Sequence, residues 1–147
     1  MTYRGAASLT TEGKRQWLYG RFEIRARIKA EQGLWPAIWT LGVDGKWPAK
    51  GEIDIMEYYE NSILANFAWA ARNPANPVWK GAKIPLADIT QDPDWDKQFH
   101  TWVMDWSEDE ISLWLDGKLM NHVRLDKVSN GGPGAPLPHP RAMPWTN

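Results

Sequence analysis

Gly51-Glu52-Ile53-Asp54-Ile55-Met56-Glu57-Tyr58-Tyr59-Glu60 decides how the rest of the chain is read. Its apolar members include isoleucines and tyrosines, residues that fit a pleated, half-buried surface, so the segment reads as a strand. On a regular strand, side chains alternate between faces. Glu52, Asp54 and Met56 would then share one face, and Ile53, Ile55 and Glu57 the other. That phase buries Glu57 among isoleucines, which costs several kcal/mol for an unpaired carboxylate. One extra residue, inserted as a β-bulge near Met56, flips the phase and brings Glu52, Asp54 and Glu57 onto one face over an isoleucine-backed core.

Three aligned carboxylates repel one another, and folding alone does not call for them. Glycoside hydrolysis does, because it needs one ionised carboxylate and one protonated carboxyl flanking the scissile bond. On this reading Asp54 orients Glu52 by a hydrogen bond. The accumulated charge is expected to raise the pKa of Glu57, so that it can act as an acid near neutral pH. The plainer alternative is a solvated acidic strand edge.

Gly51–Glu57 resembles the E-x-D-x-x-E signature of glycoside hydrolase family 16, in the bulged form typical of laminarinase-like members. Tyr19-Gly20-Arg21-Phe22-Glu23 and Gly33-Leu34-Trp35-Pro36-Ala37-Ile38-Trp39 resemble two upstream blocks of that family. Phe99-His100-Thr101-Trp102, Asp105-Trp106 and Leu115-Asp116-Gly117 resemble downstream ones. The resemblance implies a concanavalin A-like jelly-roll β-sandwich and an endo-acting, retaining glycosidase. In that scheme Glu52 is the nucleophile, Glu57 the acid and base, and Asp54 the residue that orients Glu52 and tunes both pKa values. It also makes Trp35, Trp39, Trp47 and His100 candidates for binding substrate. The implied substrate is a β-1,3-linked or mixed-linkage β-glucan. A β-galactan of the agar, porphyran or carrageenan type is the runner-up, and a lectin-like module without turnover, or an inactive fragment, is the reading from another class. The resemblance further implies an extracellular or periplasmic location, although Met1-Thr2-Tyr3-Arg4-Gly5 does not read as a signal peptide.

Composition is consistent with this. The 147 residues suggest one domain. A net charge of −1 gives no electrostatic case for nucleic acid or an anionic membrane, and no apolar run reaches membrane-span length. There is no cysteine, hence no disulfide framework or thiol chemistry. The unusual feature is 11 tryptophans, flat side chains suited both to sandwich cores and to stacking on sugar rings, and an even split between these uses is expected.

Along the chain, Thr2–Gln16 reads as a short edge strand and loop. Trp17–Ala30 is the cleanest strand, with Phe22, Ile24, Ala26 and Ile28 alternating with Arg21, Glu23, Arg25, Arg27 and Lys29; the basic row reads as a solvated sheet face rather than a grip on an anionic glycan. Leu34–Leu41 is a second strand. Gly42–Lys50 is a loop that brings Trp47 close before Glu52. Of the cleft tryptophans, Trp35 and Trp39 have the better alternative reading as core. Ile63–Ala70 should pair beside the acidic strand; relatives often carry a histidine near Phe67, and this chain does not. Residues 71–97 read as a long surface connection. Its Asp92, Asp94 and Asp96 raise the idea of calcium, but the full loop pattern is missing, so no cofactor or metal is expected. Gln98–Asp105 is a strand, and Asp116-Gly117 marks a hairpin between Ile111–Leu115 and Leu119–Leu125. The expected organisation is a partial catalytic sandwich over 1–127, incomplete at both ends, and a Gly/Pro-rich irregular tail over 128–147. A chain of this length that lacks returning strands should be marginally stable, weakly active and prone to self-association through open sheet edges.

Overall fold

The computed structural model describes residues 5–73 and 75–127, together with the backbone of Trp145 and Thr146. Its regular elements are almost all strands. In chain order they are β1 (Gln16–Trp17), β2 (Gly20–Ala26), β3 (Ala37–Gly42), β4 (Glu52–Tyr59), β5 (Ser62–Ala70), β6 (Pro77–Pro85), β7 (His100–Trp106), β8 (Glu110–Leu115), β9 (Lys118–Arg124) and β10 (Trp145–Thr146). A single helical turn, α1 (Leu86–Ile89), and 3-10 turns at Trp95–Lys97 and Leu125–Lys127 complete the regular elements among the described residues.

The strands form two antiparallel sheets, a six-stranded one in the order β1-β10-β3-β4-β5-β6 and a four-stranded one in the order β2-β7-β8-β9. The sheets stack as a jelly-roll sandwich, the fold the sequence implied. The core between them follows from period-two alternation. Ile53, Ile55, Met56, Tyr58, Ile63, Ala65 and Phe67 come from β4 and β5, and meet Trp102, Met104, Trp106, Ile111, Leu113 and Val123 from β7, β8 and β9. Each such large side chain withdrawn from water contributes about 1.5–3 kcal/mol before entropy is counted. Asn121 of β9 ties the layers at one side, its Nδ2 donating to Ala65 O at 2.8 Å and Lys80 O at 3.0 Å.

Two hairpins set the register that matters for the site. Glu60 and Asn61 carry φ of 48° and 55°, and Asp116 and Gly117 carry 48° and 80°. Both pairs make the tight two-residue turns whose twist matches the flanking strands. The Asp-Gly hairpin lies where the sequence places it, and the other turn sits at Glu60-Asn61.

Residues 71–97 are not a plain surface connection, because they contain β6. Its inward row is Val78, Lys80, Ala82 and Ile84, in which a lysine interrupts the apolar alternation. Prolines stand at both ends and Gly81 at the centre. Such interruptions are tolerated at a sheet's margin, and they hide the strand from a pattern search. In the same segment Asp92 holds its own turn. It accepts from Asp94 N at 2.8 Å and from Gln98 Nε2 at 2.6 Å, while Asp94 pairs with Lys97 at 2.6 Å. The Gly/Pro-rich tail expected over 128–147 lies outside the described residues except for β10, which pairs with both β1 and β3.

Candidate active site

The acidic strand is bulged where its phase requires. Against β5, Asp54 pairs with Asn66 and Glu57 with Leu64, so two residues of β4 oppose one of β5. Against β3, Trp39 pairs with Asp54 and Ile38 with Met56, which leaves Ile55 unmatched. Ile55 and Met56 therefore both enter the core, at 3% and 1% exposure. Glu52, Asp54 and Glu57 emerge together on the opposite face of the six-stranded sheet. Cross-strand rows extend this face: Glu52 beside Ala68 and Trp79, Asp54 beside Asn66 and Gly81, Glu57 beside Leu64 and Lys83.

Each outer carboxylate is held by an indole. Trp47 Nε1 donates to Glu52 Oε2 at 2.6 Å, and Trp35 Nε1 donates to Glu57 Oε1 at 2.8 Å. The second oxygen of Glu57 accepts from Asn66 Nδ2 at 2.8 Å. Trp47 reaches Glu52 because its loop is pinched at the base. Gly42 N donates to Gly51 O at 3.2 Å, and a Cβ on Gly42 would stand 1.8 Å from Lys50 O, so only glycine permits the closure. Pro48, joined to Trp47 by a cis peptide bond, is fully buried and anchors the loop tip.

Trp35, Trp39 and Trp47 are 60%, 46% and 43% exposed, so none of them is core. Trp79, at 49% exposure, joins them as a wall the sequence reading did not single out, its ring centroid 6.3 Å from that of Trp47. Tyr59 extends the aromatic surface, 4.6 Å from Trp35. Such faces suit the apolar C–H patches of sugar rings. The tryptophans do divide by role: Trp95, Trp102 and Trp106 are buried, whereas Trp17, Trp35, Trp39, Trp47 and Trp79 are exposed.

Crowding raises a carboxyl, but the clear rise is on Asp54. Burial pushes it from 3.8 up to about 8, helped by the charges of Glu57 and Glu52 and opposed by a hydrogen bond from Asn66. At 3% exposure and between two carboxylates, Asp54 is the member that most disfavours ionisation. A protonated Asp54 hydrogen-bonded to Glu52 fixes that carboxylate and spares the row a third charge.

His100 requires a correction. It does not reach this face. It lies on β7 in the other sheet, 6% exposed and stacked on Trp95 at 4.0 Å. Its Nδ1 lies 2.6 Å from Asp116 Oδ2 and its Nε2 lies 2.9 Å from Trp95 O. Both ring nitrogens are engaged in holding the Trp95 turn to the Asp116 hairpin. Its parity gives the reason: residues 100, 102, 104 and 106 share the inward face of β7. Among the described residues no three His, Cys, Asp or Glu side chains are placed to hold a metal ion, and no helix is long and apolar enough to cross a membrane.

Comparison with known proteins places the chain. The model of the family described as "Glycosyl hydrolases family 16" matches residues 1–144. A beta-glucanase of Rhodothermus marinus is 35% identical over 133 residues, covering 85% of this chain and 44% of that protein. The laminarinase catalytic domain of Thermotoga maritima MSB8 superposes with a TM-score of 0.65 at 32% identity, covering 80% of this chain and 48% of that one. A structure from work on endo-acting O-glycanases of human gut bacteria that initiate mucin breakdown superposes with a TM-score of 0.74 at 28% identity, covering 92% and 48%. The chain thus spans about half the length of the relatives it matches.

Proposed function

The chain belongs to glycosyl hydrolase family 16, and from that premise we propose that it carries the catalytic strand of an endo-acting, retaining glycosidase cleaving β-1,3-linked or mixed-linkage β-glucan outside the cytoplasm. The observation that carries the reading is the convergence of Glu52, Asp54 and Glu57 on one aromatic-walled face by a single bulge.

In this mechanism Glu52 attacks the anomeric carbon while Glu57 delivers a proton to the departing glycosidic oxygen. The glycosyl–Glu52 ester forms as the glycosidic bond breaks. Glu57 then takes a proton from water, the water attacks the anomeric carbon, and the ester bond to Glu52 breaks with overall retention. The Trp47 indole aims Glu52 at its target, and protonated Asp54 holds it from beneath. Trp35, Trp39, Trp47 and Trp79 stack the sugar rings on either side of the scissile bond.

A second reading, a β-linked galactan or a mucin O-glycan, draws support from a keratan-sulfate endo-1,4-beta-galactosidase of Sphingobacterium multivorum, 28% identical over 136 residues, and from the better superposition of the O-glycanase than of the laminarinase, 0.74 against 0.65. Reducing-end release from laminarin, lichenan, agarose and mucin O-glycans tests both. Release from laminarin or lichenan supports the first reading, and release confined to agarose or mucin replaces it with the second. Binding without release on any polymer refutes turnover and leaves a glycan-binding module.

A further inference from the structure

We propose that Asn66 is a positioning residue for Glu57 and that Gly81 exists to seat it; this rests on the assignment of Glu57 as the acid and base. Asn66 lies on β5 in register with Asp54 on one side and Gly81 on the other. At 9% exposure it is buried, and its Nδ2 sits 2.8 Å from Glu57 Oε2. The other donor to Glu57, Trp35, is 60% exposed, where water competes for the same oxygen. The buried amide is thus the stiffer of the two constraints. It fixes Oε2 and leaves Oε1 to exchange the proton with the glycosidic oxygen. An amide has no titration of its own in this range, so it sets the orientation of Glu57 without adding a charge to an already crowded row.

Gly81 supplies the independent observation. A glycine inside a strand weakens it and marks a bulge, a bend or a close approach. Residue 81 sits in an unbroken ladder from Ser62–Pro85 to Ala70–Pro77, and its backbone lies outside the left-handed region that favours glycine. What it does offer is space. A Cβ there would stand 2.7 Å from Asn66 Oδ1, closer than real Cβ contacts come. The amide oxygen fills volume that only glycine leaves open. Any side chain at 81 must push the amide off its axis, and with it the donor on Glu57.

The test uses the intact chain with Asn66→Ala, Gly81→Ala and the double variant. Asn66→Ala should lower kcat on the cleaved polymer by about tenfold or more, part of the 10²–10⁴-fold that a positioned acid–base group contributes, with KM little changed. On an aryl glycoside whose leaving group needs no proton, the loss in kcat/KM should largely vanish, which a merely structural defect would not do. Gly81→Ala should reproduce most of the effect, and the double variant should be no worse than Asn66→Ala, because the clashing oxygen is gone. Equal losses on both substrates, an unaffected Gly81→Ala enzyme, or additive losses would overturn the proposal. An arm independent of turnover follows the side-chain amide resonance of Asn66 by NMR. It should move in both Glu57→Gln and Gly81→Ala. A wild-type chain inactive on every polymer would count against the hydrolase reading alone, whereas an Asn66 resonance indifferent to both changes would sink the positioning role whatever the activity.

Discussion

Replacing Asp54 with asparagine should flatten the pH dependence of stability. In the unfolded chain Asp54 titrates near its ordinary 3.8, and in the fold burial beside Glu57 and Glu52 raises it to about 8. Between these values the folded state binds a proton that the unfolded state has released. Unfolding free energy therefore falls as pH rises through this window. The contribution is fully present below pH 4, lost progressively up to about pH 8, and constant above. Within the window the slope approaches about 1.4 kcal/mol per pH unit, so the wild-type chain should lose roughly 2.7 kcal/mol between pH 5 and pH 7 from this group alone. For a domain of this size that is about 8 °C in Tm. Asn keeps the shape and the capacity to donate to Glu52 but has no proton to lose. Thermal melts of both proteins at pH 5, 6 and 7 measure the difference directly. The gap between wild type and Asp54→Asn should shift by about 8 °C in favour of the variant across the series. Parallel curves would mean that Asp54 is ionised in the fold and that the proton is not where the geometry puts it.

Three further outcomes follow from the site. Glu52→Ala should lose turnover while retaining glycan binding, and azide should restore reaction to give an α-glycosyl azide; Glu57→Ala with an activated leaving group should give the β-azide, and the opposite pairing would exchange the two roles. Trp47→Ala should weaken oligosaccharide binding about tenfold or more, the loss of one stacked indole, while Tm falls by only a few degrees; a collapsed melt with normal affinity in the folded fraction would make it a structural residue. Gly42→Ala places a methyl 1.8 Å from Lys50 O and should cost roughly 3 kcal/mol or more in denaturant unfolding, since backbone must move to admit it; an unchanged unfolding midpoint would show that the loop base is not closed.

The acidic strand and its bulge are legible in the sequence because charge and apolarity conflict there, and only one local geometry resolves the conflict. Strands β2, β7, β8 and β9 are legible from alternation. Strand β6 is not, since Lys80, Gly81 and the flanking prolines erase its period. The neighbours of the triplet are illegible for a different reason, because they are set by register between strands. The signal is present once the turn is located. From Glu60-Asn61, pairing runs Tyr59 to Ser62, Tyr58 to Ile63 and Glu57 to Leu64, and the bulge then brings Asp54 to Asn66. Counting in this way would have found Asn66. His100 is misread for the converse reason, since a place near a recognised block outweighed the simpler parity it shares with Trp102.

The bulge has a consequence for how this strand can change length. Asp54 and Glu57 are separated by an odd number of positions, which on a ribbon of period two is a parity violation, and the unmatched Ile55 is the defect that absorbs it. Remove one of the two inward residues and the separation becomes even. The defect is then unnecessary, the three carboxylates still share a face, and Tyr58 still points inward. The outer carboxylates stay opposite Ala68 and Leu64 in either case, so one codon can be lost or gained in the core row without moving them or re-registering the strand beyond. The core on one side and the chemistry on the other are geared separately along a single strand.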